Sequence, residues 1–313
     1  MNLYKISVVI PVYDEKESLS QLFEELRNVL IEMPYDYEIV VVDDGSKDGS
    51  WELILNASSS DEKIKAIRLL KNYGQTAAIQ VGFENISGDL VLVIDGDGQN
   101  DPADIPKLIS KIDEGYDVVS GFRSRRKDSL VRRFFSYFGN LLIRKTTGLK
   151  IHDVGCSLKI YRKEWIENPK LLGEMHRIFV VYLAEMGAKV AEIKVNHRKR
   201  IGGYSKYGLT RVIKLIMDLI LYKFFTSFAS RPIYVFGGTG FVSISTSFFI
   251  FLLVVYRKIV FEGLWLSPLF FIAVTLLTVG ILFIMIGILA EIIVRIYYQT
   301  KYGFPYKIKE RHN

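Results

Sequence analysis

The sequence predicts an α/β protein, built on a mostly parallel sheet with helices on both sides, followed by an interfacial amphipathic helix and a two-helix transmembrane hairpin. Three observations predict it. Short runs of Val, Ile and Leu alternate with helix-like stretches in the first part of the chain, acidic residues stand at the ends of three of those runs, and residues 232–256 and 263–290 carry no charge.

Five apolar runs read as strands buried on both faces: Ile6–Val12, Glu38–Asp44, Lys65–Leu70, Asp89–Asp95 and Asp117–Gly121. Between them, helix-like segments fall near Glu17–Ile31, Gly49–Asn56, Thr76–Asn85 and Ala103–Glu114. Strand alternating with helix implies a mostly parallel sheet, and no internal repeat or low-complexity linker interrupts it.

A bilayer core of ~30 Å needs ~20 mostly apolar helical residues, so both charge-free stretches are long enough to span. The alternative, two buried helices of a soluble core, is disfavoured because core helices are usually shorter and carry a polar face. Only RKIVFE separates the stretches, which makes an antiparallel hairpin with both ends on one side. Lys223 and Arg231 precede the first, and Arg295, Lys301, Lys307, Lys309 and Arg311 follow the second, against Arg257 and Lys258 in the turn. The positive-inside bias therefore puts both long ends in the cytoplasm.

Nothing like a signal peptide precedes the first strand, so the amino-terminal domain is expected to stay in the cytoplasm. The one cysteine, Cys156, agrees with a reducing compartment. Residues 209–228 place Arg211, Lys214 and Asp218 on one helical stripe, as in an interfacial helix or, alternatively, a buried domain helix. The expected divisions are a catalytic domain over 1–207, the interfacial helix over 208–230, a hairpin over 231–297 with spans near 232–256 and 265–292, and a basic tail over 298–313. A net charge of +7 raises nucleic acid as a partner. The basic residues gather beside the spans instead, where they would meet anionic lipid head groups, so membrane lipids are expected and nucleic acid is not.

Parallel sheets bind ligands at the carboxyl ends of their strands, and there the acids fall: Asp14 and Glu15, Asp43 and Asp44, Asp95 and Asp97. Crowded carboxylates repel one another unless a cation sits between them. A hard divalent ion would relieve the repulsion and take nucleotide phosphates in its open positions, with Gln99 as a further oxygen ligand. Asp-x-Asp alone is a weak signal, and the acidic turn VVDDGSKDGS alone reads equally well as a solvated turn; their combination points to a nucleotide and metal site.

These residues carry a resemblance. VVIPVYDEKESL, VVDDGSKDGS, KNYGQTAAIQVGF, GDLVLVIDGDGQNDP and EGYDVVSGFRSRRKDS resemble the GT-A glycosyltransferases of family 2. With TTGLKIHDVGCSLKIYR, HRKRIGGYSKY and two spans, the chain is most similar to polyprenyl-phosphate glycosyltransferases of the dolichyl-phosphate mannose synthase and undecaprenyl-phosphate aminoarabinose transferase type. The resemblance implies a GT-A Rossmann-like fold, a nucleotide-sugar donor of UDP or GDP type, Mg²⁺ or Mn²⁺, and a polyprenyl phosphate acceptor at an inner (cytoplasmic) membrane.

Carried over residue by residue, it implies that Pro11, Tyr13 and Glu15 form the first nucleotide loop, that Asp44 contacts the base with Asp43 beside it, and that Asp95, Asp97 and Gln99 form the metal-binding motif, with Asp95 nearer the donor sugar or ribose and Asp97 nearer the metal. Arg123 or Arg126, with Arg200 and Lys206, would meet phosphate oxygens, and Ser205 joins the donor-binding set. Asp153 is the remaining candidate base, or caps a turn or orients a cation. Two departures stand out: Cys156 replaces an acid found in some relatives, and Gly96 and Gly98 around the metal triad are expected to loosen the loop.

The implied activity is inverting, non-processive transfer of one sugar to undecaprenyl or another polyprenyl phosphate. A different lipid or protein acceptor, or a non-catalytic nucleotide-sugar-binding scaffold, are the alternatives. Gly237, Gly238 and Gly240 permit close helix contact within the hairpin or between protomers of a homo-oligomer.

Overall fold

Strand β1 (Lys5–Val12) is buried along almost its whole length: its side chains are apolar but for Lys5 and Ser7, and the buried Ser7 hydroxyl donates to Glu38 (2.6 Å). It pairs in parallel with β2 (Asp36–Asp43) and β4 (Leu90–Val93), and β2 pairs in parallel with β3 (Ile64–Arg68). The structure, a computed structural model, describes residues 4–123, 151–153, 155–167, 171, 175–198, 232–261 and 267–299. The chain divides into two compact units, Met1–Leu219 and Ile220–Asn313.

In the first unit seven strands form one sheet in the order β3-β2-β1-β4-β6-β5-β7, where β5 is Val118–Arg123, β6 is Lys159–Arg162 and β7 is Val190–Val195. The five expected strands are present within a few residues. β6 and β7 were not expected. β6 runs antiparallel to both β4 and β5, and β7 runs parallel to β5. The ends of β1, β2, β4, β5 and β7 and the beginning of β6 therefore share one edge of the sheet.

Helices cover both faces. Helix α1 (Lys16–Ile31) buries Leu19, Leu22, Leu26 and Leu30, a stripe at helical spacing, against the face that carries Ile6, Val8 and Ile10. Helix α2 (Ser50–Ser60) adds Ile54 to this core, and α4 (Ile105–Asp113) adds Ile105, Leu108, Ile109 and Ile112. Removing one of these buried leucines costs about 2–5 kcal/mol. On the other face α3 (Gln75–Glu84) packs Ala78 against Val40 and Val42, and Gly82 lets it approach Val9 too closely for any side chain. Helix α5 (Met175–Glu185), unforeseen in the sequence, packs Phe179 at a tilt against Phe83 and Tyr161.

The second unit contains α6 (Ile233–Phe261) and α7 (Pro268–Gln299). Both are long and apolar enough to cross a membrane, with mean hydropathies of 2.0 and 2.9 over an 18-residue window within Ile233–Phe261 and Pro268–Val294 respectively. They run antiparallel. Gly240 meets Gly280 and Ile284, Gly287 meets Ile233 and Phe236, and the Ser243 and Ser247 hydroxyls donate to the carbonyls of Leu276 (2.7 Å) and Ala273 (2.6 Å). The expected interfacial helix over 208–230 lies outside the described residues.

Candidate active site

At the end of β1, Pro11 lies opposite Val42 of β2, and the chain then turns through Tyr13, Asp14 and Glu15 into α1. Asp14 holds a left-handed φ of 52°. Its backbone N–H donates to Ser46 Oγ (2.9 Å), its Oδ1 accepts from Lys47 N–H (2.8 Å), and Glu15 N–H donates to Ser50 Oγ (3.0 Å). The two acidic turns are thus stitched together as one cradle, which decides against a simply solvated turn.

Asp43 and Asp44 take different parts. Asp43 is fully buried; its Oδ1 accepts from Ser46 N–H (3.1 Å), its Oδ2 lies 3.2 Å from Arg68 Nε, and it holds the turn at Gly45. Asp44 accepts from Tyr73 N–H (2.7 Å) and Gly74 N–H (2.8 Å). Burial pushes its carboxyl up, the two N–H donors oppose that, and the Asp43 charge adds to it.

Asp95 and Asp97 follow β4. Asp95 accepts from Gln75 Nε2 (2.7 Å) and takes a hydrogen bond from Ser157, whose Oγ in turn accepts from Asn100 Nδ2 (2.7 Å). Burial, and next the negative charge of Asp97, push Asp95 well above the usual carboxylate range. Asp97 Oδ1 accepts from the Gln99 N–H (3.1 Å), and Gln99 Nε2 donates to the Arg198 carbonyl (3.4 Å). Among the described residues no three His, Cys, Asp or Glu side chains converge on a metal position. Two mutually repelling carboxylates and an amide nevertheless fit Mg²⁺ or Mn²⁺, since such ions commonly take one or two carboxylates and fill the rest of their shell with water and substrate phosphate.

Contrary to expectation, the triad glycines do not loosen this loop. Gly98 holds φ 68°, a left-handed conformation, and a side chain at Gly96 would lie 3.2 Å from Val12 Cγ2. The Gly96 carbonyl also accepts from Ser18 Oγ (2.6 Å).

Because β6 runs against its neighbours, residues 151–153 and 155–159 lie at this same edge. Asp153, 1% exposed, accepts from both Nε (2.6 Å) and Nη2 (2.9 Å) of Arg123 at the end of β5, and from the Gly155 N–H (3.2 Å). Glu192 of β7 steadies that loop by accepting from the His152 (2.7 Å) and Asp153 (3.0 Å) backbone N–H groups. Cys156 is buried against Gly121, and burial pushes its thiol up to about 11, so it fills the core.

Three site residues, Lys159, His176 and Arg198, had gone unread in the sequence. Lys159 of β6 is 4% exposed; its Nζ donates to the His176 carbonyl (3.2 Å), and burial pulls it down to about 8 against the opposing charges of Cys156, Asp153 and Asp95. A lysine between apolar neighbours in SLKIYR was the signal. His176 Nδ1 lies 2.6 Å from Thr76 Oγ1, next to Gln75. Arg198 bonds Glu25 (2.7 Å) and Asp101 (2.7 Å), fastening the segment after β7 onto the loop after the metal motif. Arg126, Arg200, Ser205 and Lys206 lie outside the described residues.

Residues 7–168 match the Glycosyl transferase family 2 profile. The chain is 35% identical to dodecaprenyl-phosphate galacturonate synthase of Rhizobium johnstonii, over 98% of this chain and 92% of that one. It is 40% identical to undecaprenyl-phosphate 4-deoxy-4-formamido-L-arabinose transferase of Salmonella choleraesuis, over 94% and 89%. Among solved structures, it resembles glucosyl-3-phosphoglycerate synthase from Mycobacterium tuberculosis in complex with Mn²⁺, uridine-diphosphate and product, with a TM-score of 0.55, 20% identity, and 71% and 80% coverage. Mannosyl-3-phosphoglycerate synthase from Rubrobacter xylanophilus gives a TM-score of 0.57 at 17% identity, covering 71% and 74%. These neighbours bear out the expected GT-A fold class.

Proposed function

The chain belongs to glycosyl transferase family 2, and we propose that it transfers a single sugar, with inversion, from a nucleotide-sugar donor to a polyprenyl phosphate at the cytoplasmic face of a membrane. The observation that carries this reading is similarity along 98% of the chain, apolar helices included, to an enzyme named for a dodecaprenyl-phosphate sugar. Enzymes named for undecaprenyl phosphate support it at 38–40% identity.

In this reading an oxygen of the acceptor phosphate attacks the anomeric carbon, the bond from that carbon to the donor diphosphate breaks, and the nucleoside diphosphate leaves. A phosphate monoester has its second pKa near ~6, so the nucleophile is already largely dianionic at neutral pH and asks for no general base. The task left to the protein is to overcome repulsion between two phosphate-bearing reactants. Asp95, Asp97 and Gln99 would hold Mg²⁺ or Mn²⁺, which supplies positive charge to the leaving diphosphate. Asp44 and the cradle of Tyr13 and Glu15 hold the nucleoside. Arg123, oriented by Asp153, meets phosphate oxygens, while Arg200 and Lys206 serve the acceptor phosphate. The antiparallel hairpin keeps both chain ends on the cytoplasmic side. A cysteine placed at His312 in a Cys156→Ala background would then resist an impermeant thiol reagent in intact cells, and ready labelling would overturn that orientation.

The test is to incubate the purified protein with Mg²⁺ or Mn²⁺, undecaprenyl phosphate and a panel of radiolabelled UDP- and GDP-sugars. A labelled lipid is expected with the wild type, and its near-complete loss with Asp97→Asn. No lipid product from any donor would overturn the acceptor assignment, and full turnover of Asp97→Asn in excess chelator would overturn the metal site.

A further inference from the structure

We infer that Gln75 is a positioning residue that sets Asp95 for a divalent cation without neutralising it. The inference rests on the reading of Asp95 and Asp97 as metal ligands. Three donors in succession along one turn hold two site carboxylates: Tyr73 N–H reaches Asp44 Oδ1 at 2.7 Å, Gly74 N–H reaches Asp44 Oδ2 at 2.8 Å, and Gln75 Nε2 reaches Asp95 Oδ1 at 2.7 Å. Asp44 follows β2 and Asp95 follows β4, and β1 lies between those strands. The turn therefore reaches across the width of the site and ties the nucleoside side to the metal side.

The backbone makes this reach possible. Gly74 adopts φ 97° and ψ 157°, a combination open essentially to glycine alone, and α3 begins at the next residue. The first helical position thereby fixes where the Gln75 side chain starts. With Oδ1 held by Gln75 and a further hydrogen bond from Ser157, the plane of the Asp95 carboxylate is set. The chemical type of the donor matters as much as its place. A lysine could also span the distance, but its full positive charge would offset the negative charge that attracts the cation. A neutral amide orients the carboxylate and leaves its charge for the metal, the part an outer-shell hydrogen-bond donor plays at metal sites generally.

The experiment is Mn²⁺ titration of the full-length protein in detergent, with and without UDP, read by electron paramagnetic resonance beside the melting temperature. Gln75→Met keeps the length and removes the donor. It should weaken Mn²⁺ binding on the order of 10-fold with the melting temperature unchanged. Gln75→Lys keeps a donor but adds charge, and should weaken binding further. Wild-type Mn²⁺ affinity in Gln75→Met overturns the positioning role, and wild-type affinity in Gln75→Lys overturns the requirement for a neutral donor. Asp97→Asn separates the two layers of the inference: if it binds Mn²⁺ as the wild type does, the metal reading itself fails, whereas weakened binding there with unchanged binding in Gln75→Met removes only the role given to Gln75.

Discussion

Asp153 accepts both arms of the Arg123 guanidinium, Nε at 2.6 Å on one oxygen and Nη2 at 2.9 Å on the other. A carboxylate committed to a bidentate cation and to the Gly155 N–H holds its partner in place and is poorly disposed to take a proton from substrate.

Asp153→Asn and Arg123→Ala should therefore act through one interaction. Each is expected to lower kcat/KM by about 10-fold or more, and the double variant should be little worse than Arg123→Ala alone. Steady-state transfer assays on the three variants check this. Independent, multiplying losses, together with a pH profile that loses an ionisation in Asp153→Asn, would instead make Asp153 a base.

Cys156 should be chemically silent in the folded protein. It is 1% exposed, and burial pushes its thiol up to about 11. Iodoacetamide at pH 8 should leave it unmodified until denaturant is added, as intact-mass measurement will show. Cys156→Ser should destabilise by about 1–3 kcal/mol by burying a hydroxyl that must find a partner, and Cys156→Ala should be better tolerated.

Glu38 gives the first unit a pH dependence with a definite sign. Burial alone would raise its carboxyl, but the Lys65 ammonium at 2.7 Å and hydrogen bonds from Ser7 and Ser87 hold it down at about 2. The unfolded carboxyl titrates near 4.5, so this stabilisation is complete above that pH and is lost as pH falls toward 2. Glu38→Gln should lower stability at pH 7 and flatten its decline between pH 4.5 and 2, measured by urea unfolding.

The hairpin depends on glycine at its closest crossing. A side chain on Gly280 would begin 2.6 Å from Ile244 Cγ1 and 2.8 Å from the Gly240 carbonyl. Gly280→Leu should force the two helices apart. Cysteines at Ser243 and Leu276, in a Cys156→Ala background, should cross-link within one chain when Gly280 is present and fail to do so in Gly280→Leu.

The sequence by itself determined the parts of this protein whose signals are local. Runs such as Ile6–Val12 and Glu38–Asp44 place Val and Ile on both faces of the strand, and that is enough to make them central strands; Asp44, Asp95 and Asp97 stand at the ends of such strands, so their place at one edge of the sheet was legible. The charge-free stretches likewise fixed two long apolar helices without reference to anything else in the chain. Tertiary structure decided what depends on distant segments meeting. β6 is four residues long and holds Lys159, so its sequence carries no strand pattern, and it exists because β4 and β5 offer it edges on both sides. Its antiparallel direction brings Asp153, Ser157 and Lys159 to the edge where the parallel strands end, and there Asp153 meets Arg123. Gln75 is one polar residue in a loop until α3 packs over β1 and β2 and its amide comes within 2.7 Å of Asp95. Hydrophobic periodicity specifies which face of an element is buried, whereas a hydrogen bond between residues twenty or more positions apart exists only once the sheet order is set.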